Sequence, residues 1–266
     1  MGLLLSAPLT IILVVLGEYA PGFRFLSIVF GNKPPLTPDE EFYRRLLAKD
    51  AIGASEQLEE ANEVTPAQIV ADDIVVPALR LAAKDQRAQR LDSKKTLRMQ
   101  ETMIEMDEIV SPKLGEGQRT ALELAEAADA YFIAAHGPID ALATRFAVTW
   151  IKRMTWRECA AVNQATGLMA LASLKALKET PPTIALLSVG GLDRSHLRLL
   201  LRRAVSAFPE SRIIACDWIG DSDREHGAQE KAPLDRVIPC ASMAAVTQTL
   251  RFGAPPQTGT TLAVAG

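Results

Sequence analysis

Short apolar runs in the second half of the chain alternate with longer stretches whose apolar residues recur at helical spacing. The runs are DAYFIAAHG, RECAAVN, TIALLSVGG, RIIACDWIG and DRVIP. Between them, Ile139, Leu142, Ala143, Phe146 and Trp150 line one helix face, and Leu168, Leu171 and Leu174 line another. A third helix, with Asp193 as its cap, turns Leu197, Leu200, Leu201, Ala204 and Phe208 inward, and SMAAVTQTLRF closes the series. Strands that are apolar along their length and alternate with helices predict a parallel sheet covered on both faces. The expectation is an α/β domain over 114–252 with a five-stranded parallel sheet, followed by a tail over 253–266.

The first half reads differently. TPDE is a helix start: Thr37 as N-cap, Pro38 in the first turn, Glu40 placed to reach back in a capping box. Phe42, Leu46 and Leu47 give that helix an apolar side, and Arg44, Arg45 and Lys49 suit its end. The acidic stretch ASEQLEEANEV reads as a solvated helix or loop. Thr65, Pro66 and Gln68 repeat the capping device, and Pro77 predicts a kink in the helix that follows. Residues 18–64 form a juxtamembrane helical segment on this reading. Residues 65–113 form a helical connector broken near Asp92, long enough to hold a distal domain away or to pair in a dimer. SPKLGEGQ marks its end by Pro and Gly content.

From Met1 to Leu16 there is no charged side chain. As a helix this stretch spans roughly 24 Å, a little short of a hydrocarbon core of about 30 Å. No Lys or Arg precedes the run, which disfavours a signal peptide, and polar positions at helical spacing are almost absent, which disfavours a core helix. Residues 1–17 therefore read as the last part of a transmembrane helix that begins upstream. Pro8 is tolerated there if neighbouring helices cover the freed carbonyl. Arg24, Lys33, Arg44, Arg45 and Lys49 follow the run, and the positive-inside tendency puts the rest of the chain in the cytoplasm.

Composition narrows the function classes. A formal net charge of -3 gives no electrostatic case for nucleic acid, and 5% aromatic residues supply no base-stacking platform. Cys159, Cys216 and Cys240 have no metal-ligand spacing and read as inert buried thiols. In open parallel sheets ligands bind beyond the carboxyl ends of the strands. Those ends present His136, Gly137, Asn163, Ser188, Gly190, Gly191, Asp217 and Trp218, a candidate ligand cleft. SVGG is not a dinucleotide or phosphate fingerprint, and no GxSxG elbow exists, so no catalytic residue, cofactor site or metal site is assigned. Asp221, Asp223 and His226 read as a solvated loop, and Arg194, Arg198, Arg202 and Arg203 as an exposed polar helix face.

Three stretches in order carry a resemblance: GLLLSAPLT with VVLGEYAPGFRFL, then PLTPDEEFYRRLLAKD, then VVPALRLAAKD. Together they resemble the carboxyl-terminal portion of the autoinducer-2 exporter family of membrane permeases. The sheet region is similar in general pattern to the flavodoxin-like, cobalamin-binding-like cytosolic domain of longer members. The resemblance implies a multi-pass, oligomeric permease of the inner membrane that exports small molecules or ions, with most of this chain on the cytoplasmic side. Cobalamin modules carry D-x-H-x-x-G after the first strand, whereas this chain has AAHGPID, so no cobalamin ligand is carried over. The expected function is a regulatory, non-enzymatic cytosolic domain that responds to an unknown small-molecule ligand or to the rest of the permease. The alternatives are a soluble ligand-binding sensory module and, third, an enzyme using the strand-end cleft through His136 or Asp217.

Overall fold

The apolar runs become five parallel strands: β1 (Ala130–Ala134), β2 (Cys159–Ala161), β3 (Thr183–Ser188), β4 (Arg212–Asp217) and β5 (Val237–Cys240). Their order in the sheet is β2-β1-β3-β4-β5. This computed structural model describes residues 36–110, 128–155, 157–177, 179–190, 194–218 and 236–252. The transmembrane reading of residues 1–17, the Asp193 cap, Gly191, Asp221, Asp223, His226 and the tail over 253–266 lie outside the described residues. Among the described residues no helix is long and apolar enough to cross a membrane.

Every residue of β3 is buried, as two-sided cover of a central strand requires. Side chains alternate between two cores. Phe132, Leu187 and Ile214 face one, and Ile133, Leu186 and Ile213 face the other. Pro239 sits in β5, an edge strand, the place in a sheet where proline is tolerated.

Helices α7 (Gly167–Lys175) and α8 (Arg194–Ala207) cover the second core with Leu171, Leu174, Leu200 and Ala204. Helices α6 (Gly137–Thr155) and α9 (Met243–Phe252) cover the first. Over α6 and α9 lies a further helical layer built from the first half of the chain. It comprises α1 (Pro38–Ala48), α2 (Ala51–Val64), α3 (Ala67–Val70), a π-helical turn (Ala71–Val75), α4 (Val76–Arg87) and α5 (Ser93–Val110). Phe42, Leu46, Leu79 and Met99 are fully buried in the same core as Phe132 and Trp218. Complete burial of side chains of this size stabilises by about 1.5–3 kcal/mol each. The helices over 65–110, a connector by sequence, thus pack into the core beside α6 and α9.

Local chemistry explains the layer. Helix α1 starts at Pro38, the first-turn proline that the sequence marks. Helix α2 turns Ala51, Gly53, Ala54, Ser55 and Leu58 inward, so its buried face is made mainly of small residues. Thr65 ends α2, its N–H reaching Ala61 O at 3.0 Å, and Pro66 takes the cap position of α3. The second capping device is therefore not formed: α3 starts one residue later than expected, with no side-chain bond at its cap. The expected kink at Pro77 takes the form of the π-helical turn just before it. The wider turn accommodates a residue that cannot donate to the helical ladder. The break near Asp92 falls where expected: the Asp92 carboxylate accepts from Lys95 N at 2.7 Å and starts α5.

Polar contacts from the π turn and α4 help tie this layer to the sheet domain. Asp72, in the π turn, accepts from Met243 N at 2.5 Å and Ala244 N at 3.0 Å, capping α9 from a different element. Arg80 Nε, on α4, donates to Trp218 O at 2.5 Å, just beyond the carboxyl end of β4.

Candidate functional site

The strand order reverses between β1 and β3: from β1 the chain moves outward to β2, then returns to the other side of β1. In open parallel sheets this switch point at the carboxyl ends is where ligands are held. β1 delivers His136 and Gly137, and β3 delivers Ser188, Val189 and Gly190. Gly137 and Gly190 take φ of 73° and 100°, turns that favour glycine.

Asp140, in the first turns of α6, joins the two loops. One carboxylate oxygen accepts from His136 N at 2.9 Å and the other from Val189 N at 2.9 Å. Asp140 is 2% exposed. Burial pushes its pKa up to about 6 against the Val189 and His136 N–H groups and the Ser188 hydroxyl, with the nearby Asp217 adding to the rise. The His136 ring stands edge-on to His196 of α8 at 5.3 Å between centroids. His196 Nε2 is buried and finds no hydrogen-bond partner among the described residues.

The sequence-derived cleft residues divide by location. His136, Gly137, Ser188 and Gly190 gather at the switch point. Asp217 pairs in register with Ser188 at the end of β4. Trp218 is 0% exposed, its N–H bonded to Ser188 O at 2.8 Å and its carbonyl held by Arg80. Asn163 lies elsewhere, in a cleft of about 450 Å³ beside the carboxyl ends of β1 and β2. Ala134, Leu142 and Val162 give this cleft an apolar floor. Gln100 and Ile104 of α5, Arg145 of α6 and Asn163 and Gln164 of the β2–α7 loop form its sides. The helical layer and the sheet domain therefore both wall the cleft. Its α6 wall, beginning at Ala141, follows Asp140 directly in the chain.

A larger groove of about 530 Å³ lies at the amino ends of the strands. Several of its charges are engaged with the protein itself. Arg157 pairs with Asp129 at 3.6 Å, and Arg236 donates to Pro209 O. The cleft beside β1 and β2 is the better ligand site, because in open parallel sheets ligands bind beyond the carboxyl ends of the strands.

Sequence reasoning missed Asp140, His196 and Arg145. GPID does carry the helix-start acid that would flag Asp140. Its bond to Val189 spans 49 positions and needs the strand order. The three cysteines are free and buried, and burial raises all three thiols, Cys159 to about 12. Among the described residues no cluster of three or more His, Cys, Asp or Glu side chains could hold a metal ion. No protein-family model matches the chain, and no curated protein matches it.

Proposed function

We propose that this chain is a regulatory, ligand-sensing domain that binds a small molecule in the cleft between α5, α6 and the ends of β1 and β2. The observation that carries the reading is the composition of the cleft walls. Gln100 and Ile104 come from the helical layer and Ala134, Asn163 and Gln164 from the sheet domain, so an occupant touches both. A volume of about 450 Å³ suits a small organic ligand. Occupancy then biases the helical layer against the sheet through α6, Asp140 and the Arg80–Trp218 contact. The strand order supports taking the sheet as flavodoxin-like.

The resemblance of the first third of the chain supports placing this domain on the cytoplasmic side of an inner-membrane permease of the autoinducer-2 exporter type. The apolar residues 1–17 would be the point of attachment. In this reading the domain regulates export of small molecules or ions and catalyses nothing itself.

The test is a thermal-shift screen of a small-metabolite library against the chain and against Ala165→Trp. Ala165 is an exposed cleft residue, and a tryptophan there fills the space. Ligands that raise the melting temperature of the parent and not of the variant support the reading. Ligands that shift both equally place binding elsewhere and overturn it.

A further inference from the structure

We infer that the ligand of this cleft is a small carboxylate with a short aliphatic body, anchored through its carboxylate on Arg145; this rests on the cleft being the ligand site. The lining carries both halves of that chemistry. Ala134, Leu142, Val162 and Ile104 offer aliphatic surface, and among the described residues no aromatic ring lines the cleft to stack a planar base or flavin. Among the described residues the charged group on the lining is the Arg145 guanidinium, and the carboxamides of Gln100, Asn163 and Gln164 line the same cleft.

Arg145 is placed to receive an anion. Its side chain is 46% exposed, and its Nε lies 4.0 Å from Asp107 Oδ2. That carboxylate has a closer partner in the Thr149 hydroxyl at 3.1 Å. The contact to Asp107 is made from Nε, and the guanidinium presents a fork of five donors in all, matched to a planar carboxylate. The nearby carboxamides donate and accept, so they tolerate a hydroxyl or amide on the ligand without demanding a second charge.

The experiment titrates the chain with hexanoate, hexanamide and inorganic phosphate by calorimetry, alongside Arg145→Gln, Arg145→Lys and Ala165→Trp. Hexanoate is expected to bind. Hexanamide should bind at least about tenfold more weakly, as loss of a charge-assisted bond implies. Arg145→Gln should weaken hexanoate by a similar factor, Arg145→Lys should retain part of the affinity, and Ala165→Trp should abolish binding. Equal binding of hexanamide and hexanoate, or hexanoate affinity unchanged in Arg145→Gln, overturns the carboxylate assignment while leaving the cleft reading standing. Phosphate binding in place of hexanoate, lost in Arg145→Gln, overturns the carboxylate and its aliphatic body. No binding by any probe overturns the assignment too, and the library screen then decides the cleft reading separately. Hexanoate binding that survives Ala165→Trp overturns both.

Discussion

Asp140→Asn tests the electrostatics of the switch point. The native carboxylate is 2% exposed and holds the β1 and β3 loops through two N–H bonds of 2.9 Å each. Burial dominates these bonds and brings its pKa to about 6, against about 3.9 in an unfolded chain. Between those pH values the folded state binds more protons than the unfolded state, so Asp140 lowers stability as pH rises. Below pH ~4 the group is protonated in both states and the effect is absent; above pH ~6 it is complete. The gap corresponds to about 3 kcal/mol. Asparagine cannot titrate. His136, His196 and Asp217 are common to both proteins, so the difference between them reports Asp140 together with its coupling to Asp217. Urea unfolding followed by tryptophan fluorescence from pH 4 to 7.5 is the assay. The parent should lose about 3 kcal/mol relative to Asp140→Asn across this range, about 1 M in midpoint for a slope of ~2–3 kcal/mol/M. A difference that is flat refutes the reasoning. One that rises with pH shows that the N–H groups and the α6 amino terminus favour the carboxylate more than burial opposes it.

Other consequences are simpler to read. Asp72→Ala strips the acceptor from the Met243 and Ala244 amides and should cost about 1–2 kcal/mol in urea unfolding; unchanged stability would show that α9 needs no cap from the π turn. Gly167→Ala places a methyl 2.7 Å from Leu200 Cδ1 and 3.1 Å from Ala134 O, and should destabilise by about 1–3 kcal/mol, read as a lower melting temperature. The buried Cys159, Cys216 and Cys240 should resist a thiol reagent at pH 8 in the native protein and all react in urea. Rapid native labelling would contradict their placement in the core.

Much of the architecture was legible because burial on both faces removes the polar alternation from a strand. TIALLS and RIIACD are therefore recognisable as β3 and β4 from residue type alone. Helix α2 was harder. Its inward face is Ala51, Gly53, Ala54 and Ser55, residues too small to produce a strong apolar stripe, although they allow close packing. Thr65 and Pro66 suggested a capping box that does not form, because a threonine that precedes proline serves equally as the end of one helix. Pro77 announced an irregularity but not its form, since a kink and a π turn both relieve a missing donor. At the site, His136, Ser188 and Gly190 followed from their positions at strand ends. Asp140 and Arg145 lie on α6 and acquire their roles from β3 and from α5, which only the topology brings near. The packing of the helices over 65–110 against α6 and α9 likewise depends on contacts far apart in sequence, such as Asp72 with Met243.

On the proposed function, filling the cleft is felt across the helical layer and the switch point together. Amide hydrogen exchange at residue resolution, with and without saturating hexanoate, tests it most directly. Slower exchange is predicted at Gln100 and Ile104 on α5 and also at the His136 and Val189 amides held by Asp140. Protection confined to the β2–α7 loop, with α5 and those two amides unchanged, would contradict it.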